Sequence, residues 1–114
     1  MQRTLIIVAH VLLAATVQAK LPPREADKIV QAIYRVEGGP RAKVPYGILS
    51  VPVRNQAHAR QICVTTVQNT HTRWLQAGKP GAYLDFLANR YCPKSADPIG
   101  NRRWKKNINA ILAR

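Results

Sequence analysis

The sequence predicts a mostly α-helical domain with one short irregular or β-hairpin segment. Apolar residues recur at three- and four-residue intervals in four separate stretches, which is the spacing of helices with one buried face. Glycine and proline stand at the ends of these stretches, where helices start and stop. Residues 41–55 lack this spacing and contain Pro45, Gly47 and Pro52, so they permit at most a small hairpin.

Residues 1–19 have the pattern of a secretory signal peptide. Arg3 precedes a mostly apolar run of 13 residues, Leu5 to Val17, and Val17-Gln18-Ala19 has the small–x–small character of a signal-peptidase site. A membrane-spanning helix needs about 20 apolar residues, so an uncleaved anchor is the less favoured alternative. Cleavage after Ala19 would leave one domain, residues 20–114, in the periplasm or secreted, with no stable membrane insertion.

The first predicted helix covers Arg24 to Glu37. Two prolines precede it, and two acidic residues lie near its start, where the helix dipole favours negative charge. Gly38-Gly39-Pro40 ends it, because glycine can adopt the left-handed closing conformation. Its apolar stripe consists of Ala26, Ile29, Val30, Ile33 and Tyr34.

Three further helices follow the irregular segment. The longest helical pattern covers Ala57 to Ala77, and a third helix covers Pro80 to Tyr91. Residues 94–100 are predicted to be a loop, and Asn101 is predicted to cap a last helix. Trp74 and Trp104 lie on apolar stripes, so we expect both in the core.

The charge balance indicates an anionic partner. The chain has 18 Lys and Arg against 5 Asp and Glu, a net charge of +13, which becomes +12 without Arg3. Such a field favours polyanions. Nucleic acid is the usual first guess for a basic chain, but the predicted leader directs the protein to where the abundant anionic polymers belong to the cell envelope. The densest basic cluster, Arg102 to Lys106, is either the solvated face of the last helix or a contact for such a polymer.

The two cysteines, Cys63 and Cys92, are predicted to form a disulfide, since an exported small domain with an even cysteine count usually pairs them. Closing that loop would stabilise the fold by about 3–4 kcal/mol. The alternative is two free thiols. With His58 and His71 the cysteines lack the CxxC or HxxxH spacing of a metal site, so we expect no metal and no cofactor.

Glu37 is the candidate catalytic residue. It follows Val30 and Ile33 at steps of three and four, so it continues the apolar stripe of the first helix. Partial burial disfavours the charged carboxylate, and so does the negative end of the helix dipole. A carboxylic acid that stays protonated near neutral pH is what general-acid cleavage of a glycosidic bond requires. The alternative is a helix-end glutamate that reaches water beside a neighbouring arginine.

These motifs together resemble the lysozyme-like superfamily. A helix that ends at Glu37-Gly38, an irregular stretch and then Gly47-Ile48-Leu49-Ser50 are most similar to soluble lytic transglycosylases and to goose-type and phage-type lysozymes. The segments FLANRYCP (86–93) and NRRWKKNINAIL (101–112) are similar to the late helices of small phage-like muramidase domains. The resemblance spans residues 29–112 and implies that Glu37 faces residues 47–50 across a sugar cleft.

Four further residues are candidates for substrate contacts: Tyr46, Gly47, Ser50 and Tyr91. Tyr46 could stack on a pyranose ring or pack in the core. Ser50 could form a hydrogen bond to an N-acetyl group or be a solvated loop residue. Tyr91 could contact the substrate through its hydroxyl or pack in the core. Ser50 replaces a glutamine of the family pattern, Gly38 replaces a serine, and the family's Y-N-A-G segment is absent.

The implied function is that of an exported, monomeric muramidase whose substrate is the peptidoglycan glycan strand. Glu37 would protonate the leaving oxygen and then act as a base, with the muramoyl 6-hydroxyl or water as nucleophile. Hydrolase triads have little support, because His71 lacks a serine or cysteine nucleophile at a recognisable spacing. The alternatives are a non-catalytic basic module that binds envelope polysaccharide, and an exported antimicrobial or nucleic-acid-binding cationic protein.

Overall fold

A computed structural model describes residues 20–114, so the predicted signal peptide at residues 1–19 lies outside the described residues. The described part is mostly helical, which confirms the predicted class. It contains four α-helices, and their bounds are α1 Pro23–Val36, α2 Gln56–Gln76, α3 Tyr83–Tyr91 and α4 Pro98–Leu112.

The core lies where the four helices meet. Helix α1 packs against α2 and α4, and α3 packs against the same two helices. Ile33, Leu87 and Ile108 come from three different helices and are all fully buried. Burying each such side chain away from water stabilises the folded state by about 1.5–3 kcal/mol. The core is completed by Val30, Ala59, Cys63, Val67, Ala88 and Trp104.

The predicted β-hairpin is wrong. Between α1 and α2 the described chain forms two short 3-10 turns, Gly39–Arg41 and Pro45–Gly47, and residues 20–114 contain no strand. Proline removes a backbone donor from any ladder. Tyr46 and Gly47 also adopt positive φ angles of 57° and 67°, which fold the chain back on itself instead of extending it.

Two helix starts differ from the prediction. Helix α3 begins at Tyr83 and not at Pro80, because Lys79 and Gly81 have left-handed φ angles of 56° and 68° that interrupt a helix. Helix α4 begins at Pro98 and not after Asn101. Its cap is Asp97, whose carboxylate accepts the backbone N–H of Gly100 at 2.8 Å.

The predicted disulfide is also wrong, since Cys63 and Cys92 are both free. Cys63 is buried with its sulfur 3.5 Å from the Tyr91 hydroxyl, whereas the Cys92 thiol points to the Asp97 carboxylate at 3.9 Å. Tyr91 and Cys92 are adjacent at the end of α3 and point to different neighbours, so the side chain that meets Cys63 is the tyrosine. Burial raises the pKa of Cys63 to about 11.

Candidate functional site

Glu37 occupies the position directly after the last residue of α1. Its backbone N–H still bonds to the carbonyl of Ile33 at 2.9 Å, so its side chain continues the helical face as predicted. Gly38 then turns the chain away with a φ of 113°, which few other residues adopt. Glu37 is partly buried. Its carboxyl group therefore lies against the protein and not in open solvent.

A tryptophan from the last helix holds this carboxyl group. The indole Nε1 of Trp104 donates a hydrogen bond to Glu37 Oε1 at 3.2 Å. Trp104 is 6% exposed, as expected for a core residue, and its ring stacks on that of Tyr91 with centroids 5.2 Å apart. The contact joins residues 67 positions apart. The sequence contains no local signal for it, since the apolar stripe of α4 indicates burial only.

Gly47 packs directly on the other side of the same carboxyl group. A Cβ atom placed on Gly47 would lie 2.8 Å from Glu37 Cδ and 2.9 Å from Oε2, too close for any real side chain. A larger residue here would force the end of the Glu37 side chain to move. The turn that positions Gly47 is closed by its own N–H, which bonds to the Val44 carbonyl at 3.0 Å. Glu37 is therefore in direct contact with the first residue of the segment 47–50, whereas the resemblance implies a cleft between the two.

Tyr46 lies in the core. It is 5% exposed, and its ring meets that of Tyr34 with centroids 5.1 Å apart. Burial raises the pKa of its hydroxyl. Of the two roles considered for Tyr46, packing is the one that the structure shows. Its left-handed φ and its buried ring anchor the turn to α1 and thereby hold Gly47 against Glu37.

A small recess of about 160 Å³ lies between the YGILS segment, α2 and α3, and Glu37 is not among the residues that line it. Three of the predicted substrate residues, Gly47, Ser50 and Tyr91, line it. Gly47 joins the two features, since it contacts the Glu37 carboxyl and also lines the recess. The remaining lining side chains are Ile48, Leu49, Ile62, Thr66 and Arg90. Leu49 is 85% exposed beside it, an unusual exposure for leucine.

A larger groove of about 830 Å³ lies elsewhere, between the start of α1 and the middle of α2. Its carboxylate, Asp27, is paired with Arg60. The ten-residue separation places Asp27 about 15 Å from Glu37 by helix rise. We therefore prefer the smaller recess as the candidate site, because its lining residue Gly47 contacts a half-buried acid for which the described residues show no ion pair.

The other acidic residues of the described chain are occupied or distant. Asp85 pairs with Lys105 at 3.8 Å, Asp97 caps α4, and Glu25 shares the first turns of α1 with Asp27. Residues 20–114 contain no group of three or more His, Cys, Asp or Glu side chains that could hold a metal ion. The recess is lined by hydroxyl groups and one arginine, and the Glu37 carboxyl is linked to it only through its contact with the lining residue Gly47.

His71, the weak candidate for a base, lies apart from this site. It is 9% exposed, and its ring packs against Trp74 and Tyr83 with centroids 5.4 and 5.0 Å away. The Tyr83 hydroxyl donates to the Val67 carbonyl at 2.6 Å. This aromatic cluster connects α2 with α3 and stabilises the fold at the end of α2 opposite to His58.

Comparison of the chain with protein-family models, with curated proteins and with solved structures found no match. The likeness to the lysozyme-like superfamily thus rests on the sequence motifs alone. Within residues 20–114, no helix has both the length and the apolar character needed to cross a membrane.

Proposed function

We propose that this protein is an exported muramidase that cleaves the glycan strand of peptidoglycan. Glu37 serves as the single general acid and base. The observation that carries the proposal is the contact between the partly buried Glu37 carboxyl and Gly47, a residue that also lines a recess. A structural glutamate at a helix end has no need of either feature.

The hydrogen bond from Trp104 gives the two carboxyl oxygens different roles. Oε1 accepts the indole N–H, so the proton of the acid form is assigned to Oε2. From there it is transferred to the glycosidic oxygen as that bond breaks. The ionised carboxylate then removes a proton from the incoming nucleophile. The nucleophile is either the muramoyl 6-hydroxyl, which gives an anhydro end, or water, which gives a reducing end.

The proposal is tested with Glu37→Gln on purified cell-wall sacculi. The amide keeps the size of the side chain but has no proton to give, so we expect muropeptide release to fall by a factor of about 100 or more with unchanged helical circular dichroism. Asp85→Asn is the matched control, because it makes the same chemical change at an exposed acid on α3. Mass spectrometry of the products distinguishes anhydro from reducing ends.

A wild-type protein that releases nothing from sacculi would contradict the enzyme proposal and favour a second candidate, a basic module that binds envelope polysaccharide. The observation favouring this candidate is the excess of positive charge, +13 for the whole chain. Two ion pairs, Arg60–Asp27 and Lys105–Asp85, neutralise little of it in the described part. Such a module would co-sediment with sacculi, less so at high salt, and Glu37→Gln would leave this unchanged.

A further inference from the structure

Arg90 is the one charged side chain among the residues that line the recess beside Glu37. It lies in the last turn of α3, directly before Tyr91, and is exposed. No aspartate or glutamate side chain lines this recess. A group that enters the recess therefore meets a positive charge with no carboxylate beside it.

Arg90 is not engaged in either of the ion pairs of the described chain, which join Arg60 to Asp27 and Lys105 to Asp85. Burial raises the pKa of the neighbouring Tyr91 hydroxyl, and the Arg90 guanidinium opposes that rise, which is consistent with a position close to the phenol. The guanidinium is thus available to an external anion at the wall of the recess.

The chemistry of the lining suits one kind of group. A guanidinium presents a planar fork of N–H donors that matches a carboxylate. Ser50 and Thr66 add hydroxyl groups, and Ile48 and Ile62 add apolar surface for the carbon skeleton that carries the anion. A neutral sugar hydroxyl would use the hydroxyls but would leave the arginine without a charged partner.

We propose that Arg90 makes this recess a subsite for a carboxylate borne by the glycan strand. The inference rests on the proposed function, and it adds a specificity determinant to it. Muramic acid carries a free lactyl carboxylate where the peptide stem is absent, and the stem carries carboxylates where it is attached through the lactyl group, whereas chitin has neither. The subsite would thus select peptidoglycan over other N-acetylated glycans.

The test measures binding by calorimetry in the Glu37→Gln protein, so that cleavage does not interfere. Three tetrasaccharides serve as probes: chitotetraose, a peptide-free peptidoglycan tetrasaccharide and its peptide-bearing form. We expect a carboxylate-bearing probe to bind about five- to tenfold more tightly than chitotetraose, as for a partly exposed charge-assisted contact. Tighter binding of the peptide-free form identifies the lactyl carboxylate as the ligand, and tighter binding of the peptide-bearing form identifies a stem carboxylate.

Arg90→Gln in this background should abolish the preference while retaining chitotetraose binding. Arg102→Gln is the control, because it removes one positive charge from an exposed position on α4 that does not line the recess. A preference that survives Arg90→Gln, or that falls equally in both variants, overturns the subsite. Binding of all three glycans with equal affinity overturns the subsite but leaves the glycosidase proposal standing. Failure to bind any glycan overturns both.

Discussion

Two carboxylates in this protein pack against a glycine, and they occupy opposite kinds of helix end. Asp97 stands at the start of α4, where its oxygen accepts the N–H of Gly100 and where a Cβ on that glycine would collide with it. Glu37 stands at the end of α1 and accepts a side-chain N–H from Trp104 across the core. The two sites share a geometry but differ in the source of the hydrogen bond.

The position of each acid on its helix indicates whether it stabilises the fold. A helix start presents unpaired N–H groups and positive dipole charge, so a carboxylate there stabilises the helix. A helix end presents the opposite charge, so Glu37 gains nothing from α1 and depends on a tertiary donor. An acid maintained in an unfavourable position, with a glycine making room for it, is more readily explained by chemistry than by stability.

Among the variants that keep Glu37, the largest effect is expected for Gly47→Ala. The new methyl group would displace the Glu37 carboxyl from 2.8 Å, and a small misplacement of a catalytic group can cost about 100-fold in rate. Gly81→Ala is the matched control, since Gly81 has nearly the same φ, 68° against 67°, but open space around its Cβ position. Both variants should lose about 1 kcal/mol of stability through backbone strain.

Muropeptide release measured beside urea unfolding separates these two effects. Equal activity in the two glycine variants would mean that the contact with Glu37 is irrelevant to function.

Cys63 lies on the Glu37 side of the molecule and Cys92 contacts Asp97, so each cysteine can probe one of the two sites. Cys63 touches Tyr91 on the Glu37 side, and its folded pKa of about 11 exceeds the ordinary 9.0. The folded protein favours the neutral thiol of Cys63. The stability that results is fully present below pH 9 and is lost as the pH rises through about 11. About 2–3 kcal/mol of unfolding free energy should be lost over that interval.

Urea unfolding at pH 8, 9.5 and 11 checks the loss, which Cys63→Ala should reduce and Cys92→Ala should retain. Thiol labelling of the native protein should modify the half-exposed Cys92 rapidly and the buried Cys63 only after unfolding. If both cysteines resisted labelling until a reductant was added, the two thiols would be paired in a disulfide and this prediction would fail.

Trp104→Phe tests the hydrogen bond that the Trp104 indole donates to Glu37. It removes the indole N–H from Glu37 and retains an aromatic ring against Tyr91, so muropeptide release should fall about tenfold, the equivalent of one hydrogen bond to a charged group. Trp74→Phe is the control, because that indole donates to the Gly81 carbonyl at 3.2 Å, away from the site. If both variants lose activity in proportion to stability, the Trp104 bond is merely structural.

The smallest effect is expected at Asp97. Asp97→Ala removes the cap of α4 and should cost about 1 kcal/mol of unfolding free energy, whereas Asp97→Asn should cost much less, because asparagine also caps well. Neither change should alter muropeptide release per folded molecule. Loss of release in Asp97→Asn with normal stability would assign Asp97 a role in the chemistry and remove the contrast with Glu37.

The local features of this fold could be predicted because they depend on residues within one helical turn. The end of α1 before Gly38 and the placement of Glu37 on its apolar stripe both follow from such spacing. The start of α4 was misassigned to Asn101 because asparagine and aspartate both cap helices. Asn101 is instead buried, with its amide donating to the Cys92 carbonyl at 2.8 Å, a partner nine residues away.

The helical class, the position of Glu37 at a helix end and the strong positive charge can all be read from the residue pattern. The packing of the helices is needed to see that Trp104 donates to Glu37, that Gly47 packs on its carboxyl, that Tyr46 is buried and that Cys63 meets Tyr91 in place of Cys92. The two groups of features differ in the sequence separation of the residues that interact. Periodicity and capping act over three or four residues, whereas these contacts depend on how separate helices pack and in which direction each side chain then points.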